Sequence, residues 1–356
     1  MKFTINKSMI ENIISSMQPF LEKKDASVIT SHIYFEIDSN YLTLRSTDYE
    51  MGLEAKIEQI TDYDDGKCTV NGSNLLNIIR RLKDNDIIFE VINNNLNIKQ
   101  SRSNFKLPMY NASEYPCFPN LENLNNLDIN IINLVNAIKK ITPAIDNNNP
   151  KYELNGALID IKSNQINFVS TDTRRLAVSS LLNVSNDETQ IIIPKKAIIE
   201  IQKLFLDDAI ISYDETNLIL SSNNIKFFTK LINGKFPDYE RIIPTNLKHS
   251  FQLSKSSLVE SIKLITSLKP NIKMTFSNDN IIFESVDEDS EAKTVLDVTL
   301  TLEESFYIAV NSKYLLDFLS TSTNENITVG FNESNLPFYL EDDKFKTIIM
   351  PIILEK

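Results

Sequence analysis

An α+β fold made of three successive copies of one unit is what this sequence of 356 residues predicts. Two observations predict it. The first is a repeat: Phe3, Leu127 and Phe251 stand at successive steps of 124 residues. Each is followed at the same spacing by two apolar residues four apart, namely Ile10 and Ile14, Leu134 and Ile138, and Leu258 and Ile262. The second is a change of period inside the copies, from alternation (Phe3 and Ile5, Phe251 and Leu253) to a spacing of four. That change is a short strand giving way to an amphipathic helix. A period this long marks an array of similar domains, and the chain is longer than one hydrophobic core usually supports.

A second helix follows in each copy, led by a short apolar strand. Val70, Ile193 and Val310 precede it, and the first inward residue comes five positions later, at Leu75, Ile198 and Leu315. Asn71, Pro194 and Asn311 stand at the entrance, where a capping side chain or a proline with no N–H to lose is favoured. Runs rich in Ile, Phe, Val and Tyr at 41–46, 166–171 and 281–286 read as strands. The ends repeat as well, since Phe105 and Phe228 are 123 apart and the third copy closes from Phe345. The expected domains are 1–124, 125–246 and 247–356, each with two helices packed on antiparallel sheet.

Composition excludes several function classes. The formal net charge of −12 argues against a protein that coats nucleic acid by bulk attraction, so any basic face must be local. Six glycines form no phosphate-cradling motif, and two histidines, His32 and His249, form no zinc or serine-hydrolase signature. No catalytic residue, metal site or cofactor is expected. Cys68 and Cys117 lack metal-ligand spacing and read as small hydrophobes in a reducing compartment. No window has the uninterrupted apolar length of a membrane span, so the expected location is the cytoplasm, without a membrane partner. The acidic runs at 62–65 and 287–291 read as solvated loops.

With the triplicated unit established, the words "NGALIDI", "STDTRRLAV", "IIIPKKAIIEI", "NGKFPDYERIIP", "VNSKYLLDFL" and "IIMPIIL", in that order, resemble the bacterial replicative sliding clamps, the beta subunits of the DNA polymerase III holoenzyme. The resemblance runs the length of the chain. It implies a non-catalytic processivity subunit, a head-to-tail homodimeric ring with helices lining the hole and continuous sheet outside. It also implies partners: double-stranded DNA held without sequence preference, and a replicative polymerase subunit, a clamp loader and repair proteins that dock through short linear peptides. A ring that slides must hold DNA by topology and diffuse phosphate attraction, because base-specific contacts would pin it in place.

Carried over position by position, the resemblance implies three sets of residues. The DNA set joins Lys24, Asn148, Lys151 and Tyr152, carried over by position with Glu153 where the family often has an aromatic residue, to Arg80, Arg81, Lys195 and Lys196, cations on the second helices that the resemblance assigns to the hole, beside Lys83, Lys203 and Lys313. Each cation read alone is also an ordinary solvated helix face. The peptide-binding set is Leu154, Thr171, Thr173, Arg174, Arg175 and Leu176, then Pro237, Arg241 and Ile242, then Asn311, Tyr314, Pro337, Ile348, Met350, Pro351 and Ile352. Met350 and Ile352 also read as core strand, and Arg175 as a structural ion pair. Thr173 and Arg174 replace the family's common glycine-histidine pair, and Glu355 and Lys356 extend past its usual end. The dimer set is Phe105 and Leu107 against Leu264 and Ile265 of a second copy. Two other readings stay open: a repeat-built scaffold that does not bind nucleic acid, and a hydrolase using Asp48 and Asp172, which repetition also explains as turn formers.

Overall fold

The computed structural model describes residues 1–119, 124–183, 188–266, 269–286 and 292–354. The acidic run at 287–291 and the extension at 355–356 lie outside the described residues. Six α-helices appear where the change of period places them: α1 (Lys7–Met17), α2 (Gly72–Arg81), α3 (Ile131–Ile141), α4 (Lys195–Leu204), α5 (Lys255–Ile265) and α6 (Ser312–Thr321). The residues four apart face inward, with Ile10, Ile14, Leu134, Ile138, Leu258 and Ile262 at most 5% exposed. Leu75, Ile198 and Leu315 are buried in the same way under the second helices. Burial of each such side chain stabilises by about 1.5–3 kcal/mol, so the periodicity is also the main energetic cause of the fold.

The entrances follow their chemistry. Asn71 caps α2 by accepting from the Asn74 N–H, Asn311 caps α6 by accepting from Lys313 N–H, and Pro194 precedes α4 with no N–H of its own. After α1 and α3 the chain tightens into 3₁₀ turns, Gln18–Phe20 and Thr142–Ala144, each with a proline in its first turn.

The strands do not stay within their repeats. One eight-stranded antiparallel sheet runs Asn125–Asn126, Ile210–Tyr213, Asn217–Ser221, Ile225–Lys230, Met51–Ile57, Tyr41–Thr47, His32–Asp38 and Gly66–Asn71. A second runs Thr189–Pro194, Gly156–Ile161, Gln165–Thr171, Arg175–Leu182, Phe345–Ile349, Phe338–Asp342, Asn326–Phe331 and His249–Ser254. The central repeat thus lends strands to both neighbours. Compactness accordingly divides the chain in two rather than three, with Met1–Ile132 and Lys203–Leu231 in one unit and Asn133–Gln202 and Ile232–Lys356 in the other. The junction in the first sheet requires Gly52: it pairs with Phe228, and a Cβ there would meet the Phe228 ring at 2.4 Å.

Two smaller sheets end in open edges. A five-stranded sheet finishes on Ser103–Pro108, and a four-stranded sheet finishes on Lys293–Asp297. Aromatic packing fills the cores beneath: Phe3 stacks on Phe89 with centroids 4.7 Å apart, and Phe331 stacks on Phe306 at 4.3 Å. Cys68 is buried and its thiol is pushed up to about 12 by desolvation, whereas Cys117 is exposed. The reading of the cysteines as small hydrophobes therefore fits Cys68 alone.

Candidate peptide groove and basic positions

In the second unit a hairpin turn brings the "STD" word of the central repeat to the last described residues. Thr171 Oγ1 donates to the Arg175 carbonyl at 2.6 Å, and Asp172 Oδ1 accepts from the N–H groups of Arg174 and Arg175 at 3.1 and 3.0 Å. Thr173 takes φ 70° at the apex. Arg174 then accepts a hydrogen bond from the Met350 N–H at 2.9 Å, while Ile352 N–H reaches the Ala309 carbonyl at 2.7 Å. Residues 350–352 are thus fastened on one side to the turn and on the other to the strand Phe306–Asn311 that leads into α6.

Beneath lies a floor of buried apolar side chains. Leu154, Leu176 and Ile348 belong to one core cluster with Val178, Ile232 and Phe236. Around it stand apolar groups open to solvent: Met350 is 42% exposed, Ile242 44% and Ile353 76%. Pro237, Pro337, Pro351 and Ile352 are half-buried, and Arg241 is exposed and paired with Asp238 at 2.7 Å. Asn311, half-buried, is occupied in capping α6. The peptide-binding set thus divides into a dry floor and a wet rim, the arrangement that suits a partly apolar ligand.

Of its two sequence readings, groove wall and structural ion pair, Arg175 shows the contacts of the second. It is 5% exposed, and its guanidinium donates to Asp172 at 3.0 Å, to Asp317 at 2.7 Å and to the Pro143 carbonyl, with its carbon 4.5 Å from the centre of the Tyr314 ring. Its donors are spent inside the protein, tying the turn to α6. Sequence reasoning missed Asp317, although its place one helical turn after Tyr314 on α6 was a usable signal. It also missed Tyr239, whose hydroxyl donates to Asp160 at 2.6 Å and accepts from Asn167 at 2.9 Å. Burial, and then the Asp160 hydrogen bond, push that phenol upward, so Tyr239 stays neutral behind the groove floor.

Among the basic positions, Lys24, Arg80, Arg81, Lys151 and Lys196 are exposed, as are Asn148 and Tyr152, the latter by 67%. Arg80 lies 3.9 Å from Glu11 and keeps 56% of its side-chain surface open. Lys195 differs from the open cation that the sequence suggests. Its ammonium donates to the Ile145 carbonyl at 2.7 Å and to Asn147 at 2.8 Å, and burial lowers its pKa. It anchors the asparagine-rich loop at 146–149, where Asp146 accepts from Asn147, Asn148 and Asn149.

The dimer set divides too. Phe105 and Leu107 are half-buried on the open edge strand Ser103–Pro108, and Leu264 is 59% exposed on α5. Ile265, by contrast, is 2% exposed and packs inside its own repeat, because consecutive helical residues point about 100° apart. Asp48 and Asp172, the hydrolase alternative, are both occupied in holding turns. Among the described residues no helix is long and apolar enough to cross a membrane.

Comparison with known proteins gives this geometry a lineage. The N-terminal, central and C-terminal domain profiles of the DNA polymerase III beta subunit match residues 1–120, 128–238 and 240–353. The beta sliding clamp of Helicobacter pylori is 38% identical over 374 aligned positions, spanning 99% of this chain and 100% of that protein. The beta sliding clamp of Vibrio cholerae is 27% identical over 99% of this chain and 100% of its own length. A crystal structure of the Helicobacter pylori beta clamp bound to a DNA ligase peptide superposes with a TM-score of 0.94 at 37% identity, covering 99% of this chain and 100% of that one. The chain therefore belongs to the DNA polymerase III beta subunit family, the sliding clamps that serve as the non-catalytic processivity subunit of the polymerase holoenzyme.

Proposed function

We propose that two copies of the chain, each of three domains at 1–124, 125–246 and 247–356, close head to tail into a cytoplasmic ring around duplex DNA. The ring tethers polymerase, loader and repair proteins by short peptides in the groove beside Met350. The observation that carries the groove is the buried floor of Leu154, Leu176 and Ile348 below the exposed Met350, held by the Met350 to Arg174 hydrogen bond. An apolar peptide side chain gains burial on such a floor, and the open rim supplies orientation.

The two open edges support ring closure. Ser103–Pro108 of one copy, with Phe105 and Leu107, can continue the sheet that ends on Lys293–Asp297 of the other, next to exposed Leu264. Such a contact is heterologous and closes after two copies when its rotation is a half turn. Lys24, Arg80, Arg81, Lys151 and Lys196 supply phosphate attraction, Asn148 and Tyr152 polar contacts, and Lys195 acts through the loop it anchors. The test is retention on circular against linear DNA. A topological clamp stays on the circle and runs off the open end, and equal retention on both contradicts the reading.

A further inference from the structure

Repeat one carries a cleft of about 1000 Å³ in the place where repeat two carries its share of the groove. The correspondence follows the 124-residue step, by which Thr30 answers to Leu154, Asp48 to Asp172 and Tyr49 to Thr173. Glu114 answers to Pro237 at the 123-residue step that relates Phe105 to Phe228. Thr30, Asp48, Tyr49 and Glu114 all line the cleft.

The Tyr110 wall is held from behind by residues outside the lining. The Tyr110 ring stacks on His32 with centroids 4.3 Å apart. The Tyr110 N–H donates to Thr69 Oγ1 at 3.0 Å, and that hydroxyl donates back to the Tyr110 carbonyl at 3.1 Å. Tyr115 sets its hydroxyl 3.0 Å from the His32 carbonyl and 3.2 Å from that of Arg45. A ligand would therefore meet a preorganised surface, which spares it the entropy of ordering one.

The chemistry of this surface is opposite to that of the groove. Glu22, Asp25, Asp48 and Glu114 line the cleft against the single cation Lys24. Between them Tyr49 and Tyr110 keep 56% and 39% of their surfaces exposed, beside Val28 at 36%. A guanidinium or ammonium gains charge attraction there together with an aromatic face, and an apolar neighbour gains burial on Val28. We propose that this cleft is a second docking site, for a short protein segment carrying arginine or lysine beside an apolar residue. It goes beyond the reading of the groove and does not depend on it.

Fluorescence anisotropy of a labelled hexapeptide of alternating arginine and leucine, titrated with the full chain, tests this. Saturable binding is expected, weakened at least about tenfold by Tyr49→Asn with Glu114→Gln, as loss of two anchors commonly does. Asparagine tolerates the positive φ of position 49, so the turn survives the change. Tyr314→Ala with Met350→Ala should leave this peptide's binding intact, and in the unmutated protein the Met109 methyl resonance should shift on titration. Absence of saturable binding, indifference to the Tyr49 and Glu114 changes, or a short labelled duplex that binds with the same sensitivity to them would each overturn the proposal. The groove reports separately through its own variants, so failure of one site is distinguishable from failure of the other.

Discussion

At residues 46–51, Thr47 Oγ1 donates to the Met51 carbonyl at 2.8 Å, and Asp48 Oδ1 accepts from the N–H groups of Glu50 and Met51 at 3.0 and 2.9 Å. At residues 170–175, Thr171 and Asp172 make the same three bonds at 2.6, 3.1 and 3.0 Å. Tyr49 and Thr173 both sit at φ 70°. Even the next contact repeats: Lys230 N–H donates to the Glu50 carbonyl at 2.8 Å, as Met350 N–H donates to that of Arg174 at 2.9 Å. The side chains on this common frame then diverge. Lys230 pairs with Glu50 at 3.2 Å, whereas Met350 stands 42% exposed over an apolar floor. The frame comes from threonine and aspartate satisfying backbone groups. Function enters through the positions that the frame leaves unconstrained.

The largest difference between the two turns should come two residues after the apex. Met51 is a buried apolar side chain, whereas Arg175 is a buried cation with two carboxylate partners. Arg175→Ala leaves Asp317 its Lys313 partner at 2.7 Å but removes the bonds to Asp172, Asp317 and the Pro143 carbonyl, and the loss of these charge-assisted hydrogen bonds should cost about 3 kcal/mol or more in denaturant unfolding, with the second unit opening first.

The repeats should differ next in acid. His32 falls at the step where repeat two has Gly156, and burial drops the His32 pKa from 6.5 to about 4. The unfolded chain takes up this proton near pH 6.5, but the folded chain does so only near pH 4. Stability is therefore present above 6.5 and lost as pH falls through that window, by as much as roughly 3 kcal/mol at about 1.4 kcal/mol per pH unit. His32→Asn should flatten the unfolding midpoint between pH 6.5 and 4, and an unchanged acid slope would contradict the burial argument.

Smaller effects sharpen the picture. Asp48→Ala and Asp172→Ala each free two N–H groups and should each cost about 1–2 kcal/mol by thermal melts, with Asp172→Ala the greater because Arg175 also loses a partner. Glu50→Ala breaks only an exposed pair and should change stability by less than about 1 kcal/mol.

Much of this was legible in the sequence. The spacing of Ile10 and Ile14, repeated at Leu134 and Leu258, located three helices because burial is what the period records. The caps at Asn71 and Asn311 were legible because the hydrogen bond they make is local. Strand order was not, since nothing near Phe228 says that it pairs with Met51–Ile57 across repeats. Lys195 and Ile265 read as surface groups, and Arg175 as groove wall or ion pair without a named partner, because Ile145, the core around Ile265 and Asp317 are set by tertiary packing. The groove's residues were named from resemblance, but their division into floor and rim depends on solvent access, which a linear spacing does not carry.

Over the frame of repeat two Met350 stands above an apolar floor, whereas the same place in repeat one holds the Glu50–Lys230 ion pair, so the polymerase-tail peptide should dock beside Met350 and not beside Lys230. The direct measurement is fluorescence polarisation of a labelled peptide from the replicative polymerase's tail, read beside sedimentation of the same proteins. Tyr314→Ala with Met350→Ala should weaken binding by about 2 kcal/mol or more while the dimer persists, and Glu50→Ala with Lys230→Ala should leave affinity unchanged. Unaltered affinity in the first variant, or an equal loss in the second, would contradict docking beside Met350.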